Sequence, residues 1–289
     1  MSIFPQLFIG LITALQTDTL TKWAACEPAT ALASAATTNA NFPINAADFA
    51  TVCGVPAMTP TYIFACQETS GPLICSVTGE LLVPYPFFAT SPEMGVSVSG
   101  LEGGTRTAIR LDDNTAQAFQ AVSSDFMDFV GGSWAAFAVF NGADDLRTVT
   151  LMGKGKGTTS ATPTVDGGTT FKLDTSGRIG SSNSDGTTSA SSGLLATDLC
   201  TGLWTGAAGV YNETAATIGT FHRTSSHTVS TSGLTYVALD NYFAFGQGID
   251  GGRYVSGPLD LTYLVFFEGA AAEAVTSAGI NTFLNQAIT

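Results

Sequence analysis

The stretch Gly257-Pro-Leu-Asp-Leu-Thr-Tyr-Leu-Val-Phe-Phe-Glu268 places the tightest constraint on what this chain can fold into. Leu259 to Phe267 is almost wholly apolar and aromatic, is entered through a Gly-Pro turn and left at Gly269, and is too short for a buried helix of ordinary length. It reads as a central strand lying inside a sheet. Behind it, Ala271, Val275, Ile280, Phe283 and Leu284 recur near helical spacing with Glu273 close to the start, which predicts one short amphipathic helix at the end of the chain. The rest of the sheet must come from what precedes residue 257.

Short runs punctuated by Gly, Asn, Asp or Pro supply it: Thr61–Ala65, Leu73–Cys75, Thr107–Leu111, Ala118–Val122, Trp134–Phe140, Thr148–Met152, Thr169–Leu173, Gly206–Tyr211, Ala216–Phe221, Thr235–Ala238 and Tyr242–Phe245. Charged residues are only 11% of the chain, against about 25% in an average protein. Thr and Ser on pleated surfaces, with 32 glycines for the turns, point the same way. The expected fold is all-β, a two-sheet antiparallel jelly-roll sandwich with an N-terminal extension and a short C-terminal helix. The segment 174–200, rich in Ser and Gly, reads as a long polar connection at a sandwich edge.

Residues 1–57 differ from the jelly-roll domain, 58–289. Phe4, Leu7, Phe8, Leu11, Ile12 and Leu15 follow helical spacing, and Ala31–Asn41 is a low-complexity Ala/Thr/Ser/Asn stretch. The apolar face is too small to form a core alone, so it is expected to pack on the main domain or on another subunit. Phe4, Leu7, Phe8, Leu11 and Ile12 are the candidate assembly residues. The segment resembles a signal peptide in apolarity but lacks a basic start and carries Pro5, Gln6 and Gly10, so it is read as retained and structural. No run reaches the roughly 18 apolar residues of a membrane helix, and no membrane partner is expected.

A net charge of −13 with ten Lys and Arg makes a phosphate-binding surface improbable, so nucleic acid is set aside as a partner. Low charge density suits a protein that buries extra surface against neighbours, because Thr and Ala are cheaper to desolvate than Lys or Glu. The five cysteines have no CxxC spacing; buried free thiols are the plain reading, with a Cys66–Cys75 bridge across a hairpin as the alternative.

The order of motifs resembles the laminin-G-like, concanavalin A-like lectin/glucanase superfamily over residues 58–288. Thr61-Tyr-Ile-Phe-Ala-Cys-Gln-Glu-Thr-Ser-Gly71 with Ser76-Val-Thr-Gly79 looks like its opening strand and turns. Gly132–Val139, Leu151–Gly155, Phe171–Leu173 with Gly177–Gly180, Leu203–Asn212, Tyr242–Gly246 and Gly257–Phe266 are similar to its later strands in the same order. That fold hosts binders, enzymes and passive shell proteins, so the resemblance implies an architecture before an activity. A glucanase of this fold would carry acids at even spacing on one strand, E-x-D-x-x-E or E-x-D-x-E, and none is present. His222 and His227 fall in an expected loop without metal-ligand spacing, and no enzyme is expected.

Related lectin-like domains hold calcium on loop Asp and Asn oxygens, which makes Asp112, Asp113, Asp240, Asn241 and Asp260 the candidate ligands, with Asn114, Asp144, Asp145 and Asp250 as further loop-edge candidates; the competing reading is turn capping. Trp204, Tyr242 and Tyr254 are the exposed-aromatic candidates for stacking on sugar rings. Two functions follow as expectations. The first is a non-enzymatic virion structural protein, a bacteriophage capsid-decoration, fibre or tail component at the virion surface, contacting itself or other virion proteins and adhering to cell-surface glycans. The second is an extracellular carbohydrate-binding lectin module.

Overall fold

A computed structural model describes residues 41–84, 92–112, 117–121, 126–127, 132–142, 149–155, 168–174, 177–192, 202–223, 225–234, 244–246 and 259–288. The described strands are β1 (Tyr62–Phe64), β2 (Leu73–Ile74), β3 (Leu81–Pro84), β4 (Glu93–Leu101), β5 (Gly104–Leu111), β6 (Phe119–Ala121), β7 (Trp134–Gly142) and β8 (Val149–Gly155). They continue with β9 (Gly168–Leu173), β10 (Ile179–Ser184), β11 (Ser189–Ser191), β12 (Trp204–Asn212), β13 (Thr217–His222), β14 (Ser225–Ser230), β15 (Ala244–Gly246) and β16 (Leu259–Glu268). Three helices accompany them among the described residues: α1 (Ala46–Cys53), α2 (Ala270–Glu273) and α3 (Ser277–Ala287).

The strands form two antiparallel sheets. One runs β14-β13-β12-β7-β16-β5-β4, with β1 also on β16; the other runs β11-β10-β9-β8-β15-β6-β3-β2. The expected all-β sandwich is therefore the observed one. β16 is internal, as its composition requires: β7 pairs along its whole length, while its other edge is shared between β5 at Leu259–Leu261 and β1 at Leu264–Phe266.

A bulge at Thr262 explains how β16 feeds two cores. The register against β7 shifts between Leu261 and Tyr263, which resets the two-residue alternation. Leu259, Leu261, Leu264 and Phe266 then face the core between the sheets, with Phe64, Phe119, Phe140, Phe171 and Phe245. Tyr263, Val265 and Phe267 face outward into a second core under the helices, with Phe42, Phe49, Phe137 and Phe283. Phe283 stacks on Tyr263 at 5.5 Å between ring centroids.

Both long helices begin with a cap. Asn45 accepts from the Asp48 N–H, and α1 stops at left-handed Gly54 (φ 66°); Thr276 accepts from the Gly279 N–H to start α3. Two glycines let α3 lie close. A Cβ on Gly206 would sit 2.5 Å from Leu284 Cδ2 and 2.9 Å from the Ala138 carbonyl, and one on Gly279 would sit 2.5 Å from Met58 Sδ.

Several expectations need correction. The chain closes with two helices, broken at Ala274–Thr276, rather than one. The stretch 174–200 contains β10 and β11, held by buried hydroxyls: Thr220 Oγ1 donates to Ser181 Oγ at 3.0 Å, the Ser181 N–H donates to Ser192 Oγ at 3.0 Å, and Ser192 and Thr220 share a hydrogen bond. The segment does form the sheet edge. His222 and His227 stand on β13 and β14, not in a loop. Cys53, Cys66 and Cys75 are buried free thiols, so no Cys66–Cys75 bridge forms, and burial pushes the Cys53 thiol up to about 12. Residues 42–58, in keeping with one of the two placements expected of the N-terminal segment, pack into the second core through Phe42, Phe49, Cys53 and Met58.

Candidate functional site

Directly opposed residues on antiparallel strands share a face. Glu93 on β4 opposes Arg110 on β5, Arg110 opposes Asp260 on β16, Asp260 opposes Asn141 on β7, and Asn141 opposes Trp204 on β12. One polar row therefore crosses five strands on the outer face, spanning about 19 Å at the usual strand spacing. Its central contact is a two-pronged ion pair: Arg110 Nε donates to Asp260 Oδ1 at 2.7 Å and Nη2 to Oδ2 at 2.9 Å. The hydrogen bond to Asp260 raises the Arg110 guanidinium above its ordinary value.

At the Trp204 end the surface sinks into a cleft of about 660 Å³, walled by Asn141, Leu203, Trp204, Thr205, His222 and Arg223 together with Ser99, Gly100, Gly202 and Ile288. It lies where β4, β7, β12 and β13 end and the chain terminus crosses, an isolated bridge joining Leu101 to Ile288. Trp204 is not the exposed platform the sequence suggested. It is only 8% exposed, its Nε1 donates to the Ser99 carbonyl at 2.7 Å, and a Cβ on Gly100 would lie 3.2 Å from its ring. The apolar group that faces solvent is its neighbour Leu203, 75% exposed.

The polar side of the cleft is organised by the β12–β13 ladder. Thr205 Oγ1 and His222 Nε2 lie 2.6 Å apart, a hydrogen bond whose direction follows the imidazole tautomer. Arg223 turns the hairpin into β14 in the left-handed region (φ 41°), and Ser277 Oγ donates to its carbonyl at 3.4 Å. Among the described residues that wall the cleft there is no carboxylate. Sugars present both C–H faces and vicinal hydroxyls, and an apolar flank beside amide, hydroxyl, imidazole and guanidinium groups matches both.

Among the described residues, Asp260 makes a glycosidase pair with neither Glu268 nor Glu93. Asp260 and Glu268 stand at opposite ends of β16, about 26 Å apart at strand rise, far beyond the 5–10 Å that either mechanism uses. Glu93 and Asp260 are two strands apart, and the Arg110 guanidinium occupies the gap where a sugar and its water would sit.

Of the calcium candidates, Asp260 holds Arg110 with both of its oxygens. Asp112 is exposed, with its backbone N–H donated to Gln117 Oε1 at 2.8 Å. Among the described residues no three His, Cys, Asp or Glu side chains come together as a metal centre. Asp113, Asp240 and Asn241, the stacking candidates Tyr242 and Tyr254, and the assembly residues Phe4, Leu7, Phe8, Leu11 and Ile12 lie outside the described residues. Asn141, Leu203, His222 and Arg223 were not predicted from sequence. Their one sequence signal is the Gly202-Leu-Trp204 run, where an apolar residue follows glycine at the mouth of a strand.

No family model matches the chain, and no curated protein matches it in sequence. Solved structures match in fold. The receptor-binding domain of the botulinum neurotoxin C/D mosaic serotype aligns with a TM-score of 0.55 at 11% identity, covering 80% of this chain and 52% of that one. The binding domain of Paraclostridial Mosquitocidal Protein 1 aligns with a TM-score of 0.55 at 12% identity over 79% and 52% of the two chains. A botulinum neurotoxin type C structure, whose cell entry depends on interaction with two ganglioside molecules, gives a TM-score of 0.53 at 10% identity over 79% and 51%. This chain spans about half the length of the structures it matches. At this identity the likeness shows the two-sheet sandwich.

Proposed function

We propose that the chain is a non-enzymatic glycan-binding module that holds a saccharide in the cleft between Leu203 and the Asn141–Thr205–His222–Arg223 wall. The single observation that carries this is the pairing of a 75% exposed leucine with the polar side chains of Asn141 and Arg223 in one concave site, in whose wall Thr205 and His222 are buried and bonded to each other. The fold is one that glycan-binding proteins use, among them the ganglioside-dependent toxin, and the residue-level resemblance to laminin-G-like and concanavalin A-like domains supports the same reading.

The setting we propose is the surface of a virus particle, as a decoration, fibre or tail component. Its support is the sparsely charged composition and the apolar stretch Phe4–Leu15. A secreted lectin module is the alternative, separated by whether the protein co-purifies with particles in fixed stoichiometry. The glycan reading is tested on a glycan array with the wild type and Leu203→Asp. Binding that Leu203→Asp abolishes without lowering the unfolding midpoint is the expected result; an array blank for the wild type sinks the reading.

A further inference from the structure

Taking the glycan-binding reading as its basis, we infer that the ligand is an uncharged chain of three or four sugar units lying across the strands, from the cleft at Trp204 along Asn141 and the Asp260–Arg110 pair to Glu93. Asn141 belongs to the cleft wall and also opposes Asp260, so the cleft opens directly onto the polar row. Exposure rises from the centre of that row outward: the Asp260 side chain is 16% exposed, that of Arg110 41%, and Glu93 is exposed. A ligand anchored in the cleft and growing toward β4 therefore meets progressively more open surface.

Spacing sets the unit. Strands are separated by a distance comparable with the length of one pyranose ring, so each strand crossed presents its own polar group to one sugar. The row spans about 19 Å, the reach of a short oligosaccharide and not of a monosaccharide. Its chemistry suits hydroxyls. A guanidinium has five N–H donors, of which the Asp260 contacts use two, while the Asp260 oxygens keep lone pairs and the Asn141 amide offers a donor and an acceptor. Vicinal diols need that juxtaposition of donors and acceptors.

Charge selects the class. Three acids that act on Arg110, namely Asp260, Glu93 and Asp112, face two cations, Arg110 and Arg223, so cleft and row together carry no positive excess in a chain whose net charge is −13. A polyanionic chain would meet Glu93 and the overall negative field, and a cationic one would meet Arg223.

The experiment is calorimetric titration with malto-, cello-, laminari- and xylo-oligosaccharides of one to six units, for the wild type, Asp260→Asn and Arg110→Met. Affinity in one series should climb with each unit up to four and then level. Both variants should weaken the tetrasaccharide about tenfold while leaving the monosaccharide unchanged, with unfolding midpoints measured alongside. Affinity independent of length, an equal loss at every length in the variants, or tighter binding of an oligogalacturonate than of its methyl ester would each overturn the inference and leave the glycan reading standing. Absence of binding across all four series overturns it as well, and the glycan array then decides whether the broader reading falls with it.

Discussion

Arg106 shows how single residues hold this fold. It is 8% exposed and among the described residues has no carboxylate partner; Nη2 donates to the carbonyls of Ala65 at 3.0 Å and Thr262 at 3.4 Å, and its guanidinium carbon lies 4.0 Å from the centre of the Phe42 ring. Burial pulls it down to about 10, which leaves it charged at neutral pH. It satisfies the carbonyl freed by the β16 bulge and ties Phe42 to the sheet. Arg106→Met keeps the stem but orphans those carbonyls, so a loss of about 3 kcal/mol is expected in urea unfolding. Glu68 acts in the opposite sense. Its Oε1 accepts from the Ile74 N–H at 2.9 Å while Oε2 is buried without a hydrogen-bond partner among the described residues, and burial raises its carboxyl above the ordinary range. A carboxyl raised in the folded state favours folding below its unfolded pKa, and that advantage is lost as pH rises through the folded value. Glu68→Gln keeps the contact to Ile74 and removes the charge. It is expected to be more stable than wild type at pH 7, with the difference vanishing toward pH 4 in paired denaturation curves.

At the scale of elements, what was legible in the sequence tracks what each element buries. β16, β7 and β12 announced themselves because both their faces are covered, which leaves continuous apolar runs such as Trp134–Phe140. β4 did not, because it is a sheet edge whose residues are mostly exposed or half-buried, so Glu93–Leu101 lacks a sustained apolar alternation. β10 and β11 were hidden for another reason: hydroxyls stand where hydrocarbon would normally advertise a strand, and Ser181, Ser192 and Thr220 satisfy one another. The candidate site was legible in two residues, Trp204, misread in its orientation, and Asp260, which holds Arg110. A cleft made where four strands end has no period to detect. The helix against β12 gives the element-scale prediction. Gly206→Val would drive branched carbons into Leu284 and the Ala138 carbonyl, displacing α3 and destabilising the protein by several kcal/mol, whereas Thr276→Ala, which removes only the cap, should cost about 1 kcal/mol. Equal effects in thermal unfolding would mean that α3 is held by its cap and not by its fit to β12.

At the scale of the whole molecule, the fold includes residues N-terminal to the first strand. Three ties fix residues 42–44: Arg106 over Phe42, the Tyr263 hydroxyl donating to the Pro43 carbonyl, and Ser76 Oγ donating to the Ile44 carbonyl at 2.6 Å. Behind them Phe49 lies 5.2 Å from Phe283 and 5.6 Å from Phe267, centroid to centroid. Losing one such buried phenylalanine costs about 3–5 kcal/mol, and a chain of this kind has about 5–15 kcal/mol of stability in all. A chain starting at Met58 lacks Phe42, Phe49 and Cys53 together, so it should not fold cooperatively; a chain starting at Asn41 keeps every one of these contacts and should. Deleting residues 1–20, which removes Phe4, Leu7, Phe8, Leu11 and Ile12, separates the two roles. Under the assembly proposal that variant unfolds at the wild-type midpoint yet loses oligomers or particle association in light scattering and co-sedimentation. Unchanged assembly would remove the attachment role from the first twenty residues, and a lowered midpoint would place them in the fold instead.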